Sequence, residues 1–170
     1  MSANKEQPHV LVIPEDDACR QLAAAFQRHL PESNSRQFQV QPPSGGWRKV
    51  LDSVRKDTAG LKRFPCRLLV LVIDFDNDRE RHKTVREAIG EFEDRVFVIG
   101  VLSEPEELKR SLGKRYGEIG EALARECSEC RDGAPGTIWS DPLLAHNAPE
   151  LQRMSPAVRP ILFPGEPAAQ

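Results

Sequence analysis

Residues 67–78 read RLLVLVIDFDND, six apolar residues in an unbroken run followed by three aspartates within five positions. A continuous apolar run of this length is the pattern of a strand buried on both faces, because a strand wet on one face alternates apolar with polar residues. One aspartate at a strand end is ordinary turn chemistry. Three so close together repel one another unless a positive charge sits among them. The stretch therefore predicts a parallel sheet and, where its strand emerges, a site that calls for a cation.

Working outward, strands and helices alternate. HVLVIP (residues 9–14) is a short apolar strand, and the segment after it repeats apolar residues at helical spacing through Leu22, Ala25, Phe26 and Leu30. FQVQ (38–41) is a weaker strand, and the loop PPSGG feeds a predicted helix from Trp47 to about Asp57. Residues 79–92 read as helix and RVFVIGVL (95–102) as a fourth buried strand. Ser103 followed by Glu106 has the form of a capping box, with Pro105 in the first turn, and predicts a helix from Glu104. A further helix is expected over residues 116–130. The fold class is α/β, a mainly parallel four-stranded sheet with helices on both faces. The domain spans residues 1–132, and a proline-rich extension, residues 133–170, is expected to be irregular and to wrap the same domain.

Composition narrows the function. The 170 residues carry a formal net charge of -2 with 29% charged residues, so nucleic-acid binding needs a local patch rather than a global charge. No segment approaches the roughly eighteen apolar residues of a membrane helix, and MSANKEQPH lacks the apolar stretch of a signal peptide. A cytoplasmic protein without membrane association is expected, its cysteines reduced. Cys127 and Cys130 form a lone CxxC with no second ligand pair at zinc spacing, and read as two thiols on one helix face.

In open parallel sheets, ligands bind outside the carboxyl ends of the strands, where strand order switches direction. Strand one ends in Glu15, Asp16 and Asp17, and strand three in Asp74, Asp76 and Asp78. If these strands are neighbours, the two acidic sets meet, and Asp74 and Asp76 point the same way if the strand continues through both. Glu15, Asp74 and Asp76 are the candidate catalytic and metal-binding residues, for Mg2+ or Mn2+ with retained water and phosphate oxygens. The competing reading is that Asp16 or Asp17 caps the following helix and that Asp76–Asp78 make a turn. Arg48, Lys49, Arg79, Arg81 and Lys83 are candidate phosphate-backbone contacts, drawn from two basic segments that precede and follow the central strand. Asp17 and His146, in LLAHN, are further candidates, the histidine as proton carrier or phosphate contact.

A buried strand ending in an acidic residue (Glu15 in VIPEDD), a helix, and a later buried strand ending in D-x-D (Asp74 and Asp76 in VIDFD) resemble the Toprim domain of topoisomerases, primases and overcoming-lysogenization-defect nucleases. The resemblance covers residues 9–104. It implies that Glu15 does acid/base or metal work and that the D-x-D binds magnesium. It also implies a nuclease of DNA or RNA that works in antiviral defence beside a separate ATPase. A chain this small has little room for a substrate clamp, so a partner protein or homo-oligomerisation is expected. The topoisomerase branch uses a tyrosine nucleophile in another domain, and the only tyrosine here is Tyr116 in a predicted helix, so hydrolytic cleavage fits better than strand passage. Receiver domains also resemble parts of the pattern through Asp16, Asp17, Asp74 and Ser103, although no apolar strand ending in lysine follows Ser103. A receiver-like or catalytically degenerate interaction module is the alternative.

Overall fold

The computed structural model describes residues 5–129 and 136–165. The elements are β1 (His9–Pro14), α1 (Asp17–Arg28), a one-turn α2 (Glu32–Ser35), β2 (Phe38–Val40), α3 (Trp47–Arg63), β3 (Arg67–Asp74) and α4 (Arg79–Ile89). They continue with β4 (Val96–Val101), α5 (Pro105–Leu112), α6 (Tyr116–Glu129) and α7 (Ala148–Leu162). The four strands form one all-parallel sheet in the order β2-β1-β3-β4.

Strand alternation sends successive side chains to opposite faces. Leu11, Ile13, Leu69, Leu71, Ile73, Val96 and Val98 meet α3 and α4 through Val50, Leu51, Val54, Leu61, Val85 and Ile89. Val10, Val12, Leu68, Val70 and Phe97 face the other way, onto Ala23 of α1 and Met154, Val158 and Leu162 of α7. The predicted α/β class and the coverage of both faces therefore hold. Helix α3 runs six residues past the expected Asp57 because Leu61, fully buried, continues the helical stripe of Val50 and Val54. Between α1 and α6 the backbones nearly touch. A Cβ on Gly120 would lie 2.4 Å from the Leu22 carbonyl oxygen, so only glycine allows this approach.

Two expectations need correction. The capping box does not form: α5 starts at Pro105, Glu104 makes no side-chain cap bond, and the Ser103 hydroxyl donates to Glu107 Oε2 at 2.5 Å. The C-terminal extension is not irregular, because it contains the 15-residue helix α7. Its prolines concealed the helix, yet Pro149 lies in the first turn, where no donor is needed, and Pro156 and Pro160 lie on the exposed side of the helix. Cys130, and so the CxxC pairing, lies outside the described residues.

The outer edge of β4 is closed by side chains rather than by a fifth strand. Asn147 Oδ1 accepts from the Gly100 N–H at 3.0 Å while its Nδ2 donates to the Gly100 carbonyl at 2.8 Å, reproducing a strand partner's two bonds. Glu150 Oε1 accepts from Val98 N–H at 3.1 Å, and Arg153 Nη2 donates to the Val96 carbonyl at 2.7 Å. Leu102 N–H donates to the Leu143 carbonyl at 2.8 Å. Helical spacing of three thus matches a strand's outward period of two, and the edge offers no template for another chain. Glu150 is 5% exposed and is compensated by Arg86 and by Arg153, the latter at 2.6 Å. Among the described residues, no helix is long and apolar enough to cross a membrane.

Candidate metal centre

The chain leaves β1 toward β2 on one side and toward β3 on the other, so the switch point lies between the carboxyl ends of β1 and β3. Pro14 pairs with Val72, which brings Glu15 and Asp74 to the same edge. Asp74 N–H donates to Glu15 Oε2 at 2.7 Å, and the Glu15 carbonyl accepts from the Gly45 and Gly46 N–H groups at 2.8 and 3.3 Å. The acidic residue is thereby held from both sides, by β3 through its side chain and by the glycine loop through its backbone.

Asp74 is 9% exposed. Burial is the first reason that its carboxyl is pushed up to about 8; the charges of Asp16, Glu15 and Asp76 add to this, and a hydrogen bond from Cys19 opposes it. The Cys19 thiol donates to Asp74 Oδ1 at 3.3 Å and is itself held well above the usual thiol range, by burial first and then by Asp74 and Asp16. Glu15 is raised by burial, an effect countered by the Asp74 N–H and by Arg81 and reinforced by Asp16 and Asp76. These groups share one volume and the negative charge in it is under-compensated.

Beyond Asp74 the strand stops. Asp76 and Asn77 take left-handed backbone angles, φ +46° and +57°, in a turn closed by the Asp78 N–H donating to the Phe75 carbonyl at 2.7 Å. Two consecutive non-glycine residues in this region are uncommon and are tolerated best by Asp and Asn. Asp76 thus reaches the cluster by a left-handed turn and not, as expected, by continued strand alternation. Its carboxylate is half-exposed and pairs with Arg81 Nη2 at 2.9 Å. Asp78 is the N-cap of α4, accepting from Glu80 N–H.

The side chains of Asp16, Cys19 and Asp74 bring one donor atom each within 4.8 Å of one another. This set overlaps the predicted Glu15, Asp74 and Asp76 only at Asp74. Asp16 has a second task, since its Oδ1 caps α1 by accepting from Cys19 N–H at 2.8 Å. The signal for Cys19 lies in DDAC, where a capping aspartate and the residue three positions on share the same first turn, but nothing local sets that turn against Asp74.

The other candidates separate. Asp17 is exposed and committed to Gln21 and Arg20 of its own helix, at 2.7 and 2.8 Å, which hold its carboxyl below the usual range. His146 packs edge-on against Phe75, ring centroids 5.2 Å apart, with His82 rather than the carboxylates beside it. Arg48 lies over the Trp47 ring and is exposed, as are Lys49, Arg79 and Lys83. Arg81 alone of the basic candidates enters the acidic cluster. Tyr116 stays a neutral phenol, pushed up to about 12 by burial first and then by Glu106.

No family model, curated protein or solved structure matches this chain.

Proposed function

We propose that the chain is a metal-dependent phosphodiester hydrolase of Toprim type acting on nucleic acid. The observation that carries the reading is the crowding of Glu15, Asp16, Asp74 and Asp76 at the switch point, with Asp74 pushed up to about 8 and Arg81 the one cation among them in the described residues. Such a cluster is stable in its charged form only with more positive charge than one guanidinium carries. The donor chemistry fits a hard divalent ion such as Mg2+ or Mn2+: carboxylate oxygens on a buried floor and a half-exposed Asp76 that leaves room for water, with the Cys19 thiol donating to Asp74 beside them.

Asp74 and Asp76 would hold the ion, with Asp16 within reach. When bound, it would polarise a phosphoryl oxygen and favour ionisation of water. Glu15, raised by burial and fixed by the Asp74 N–H, is suited to take a proton from an attacking water. Arg48, Lys49, Arg79 and Lys83 provide exposed positive charge for a phosphate backbone. A separately encoded ATPase is the first partner to add to an assay.

The test is cleavage of plasmid, single-stranded DNA and RNA with Mg2+ or Mn2+. Native protein should cleave at least one substrate, and Asp74→Ala with Asp76→Ala should lower the rate by about 10²-fold or more. Absence of metal-dependent cleavage, with and without the ATPase, overturns the reading.

A receiver-like module draws on the close approach of Asp16 and Asp74 and on the buried Ser103 at the end of β4. Against it, the place of a fifth strand with its lysine is taken by Asn147, Glu150 and Arg153. Labelling of Asp74 by acetyl phosphate would reverse the order of the two readings.

A further inference from the structure

Arg81 lies inside the acidic cluster without a complete set of partners. Its side chain is 11% exposed, Nη2 meets Asp76 Oδ2 at 2.9 Å, and Nη1 donates to the Asp74 carbonyl. The guanidinium also stacks on Trp47 at 5.2 Å, but its Nε is buried with no hydrogen-bond partner. A permanent buried arginine normally satisfies its whole donor fork, so this site fits the guanidinium incompletely. It fits incompletely in charge as well: among the described residues this one guanidinium stands against the neighbouring carboxylates of Glu15, Asp74 and Asp76.

We propose that Arg81 is an exchangeable counter-ion of the acidic cluster, and that a divalent cation enters by displacing its guanidinium from Asp76 and the Asp74 carbonyl. This rests on the reading of the cluster as a cation centre. The exchange is favoured because two charges replace one among several carboxylates, and because withdrawal into water gives the Arg81 Nε the partner it lacks at the site. Asp76 is the pivot, since the same carboxylate serves guanidinium or ion. Trp47 is the built-in reporter, because withdrawal of the guanidinium removes a cation from the face of its indole.

The experiment is calorimetric titration of Mg2+ into native protein, Arg81→Ala and Arg81→Lys, each first shown to melt cooperatively, paired with Trp emission. Arg81→Ala is expected to bind Mg2+ about five- to tenfold more tightly, because the competitor is gone, with Arg81→Lys between. Mg2+ should shift the emission of native protein saturably, and the shift should vanish in Trp47→Phe and in Arg81→Ala. Equal or weaker Mg2+ binding by Arg81→Ala overturns the exchange and leaves the cation centre standing. Mg2+ bound by native protein with no change in Trp47 emission does the same, and needs no variant at position 81. Absence of Mg2+ binding by native protein and by Arg81→Ala removes the exchange and the cation centre together.

Discussion

Asp74 concentrates the chemistry of the site in one carboxyl group. Its folded-state value of about 8 stands far above the ordinary aspartate range, with burial as the leading cause. From about pH 4 to pH 8 the native state holds a proton that the unfolded chain has released, so stability falls as pH rises across that window and levels off above it. Asp74→Asn cannot titrate, and its amide oxygen still accepts from Cys19. At pH 4 its melting temperature should lie close to that of the native protein. By pH 9 it should melt higher by about 4 °C or more, and thermal melts across this range check it. A constant difference at all pH values would show that Asp74 does not titrate abnormally. Most of this was not visible in the sequence: DFD advertised mutual repulsion, but the buried floor and the thiol donor depend on how α1 settles on β3.

The element with the largest unexpected role is α7. Asn147, Glu150 and Arg153 stand in for a fifth strand, and each bond they make satisfies a backbone group that a bare edge would leave to water or to another protein. Asn147→Ala removes partners from both the N–H and the carbonyl of Gly100. A loss of about 2–4 kcal/mol is expected in urea unfolding with the slope unchanged, and light scattering should show self-association through the uncovered edge. Stability within about 0.5 kcal/mol of native would mean that water replaces the amide without penalty. The helical stripe Leu151, Met154, Val158 was present in the sequence, but the interspersed prolines obscured it. Their tolerance depends on which side of the helix faces solvent, and that is a tertiary fact.

At the scale of the whole molecule, the segment after residue 135 is part of the core rather than an appendage. Met154, Val158 and Leu162 cover Val10, Val12, Val70 and Phe97, and Ile138, Trp139 and Leu144 pack with α5 and α6. A chain ending at residue 135 should therefore lose near-ultraviolet circular dichroism and its cooperative melt. A native-like melt would show that the sheet stands with one face open. What the sequence determined by itself is what local pattern can encode: the apolar runs of the four strands, the helices between them, and the acidic residues at two strand ends. Register and strand order then had to bring Glu15 beside Asp74. Only the tertiary structure decided that Asp76 arrives through a left-handed turn, that Asp16 and Cys19 join the cluster, and that Arg81 sits inside it while the other basic candidates face solvent. The physical reason is that burial and charge compensation are properties of a volume, and a volume is assembled from segments that the sequence keeps apart.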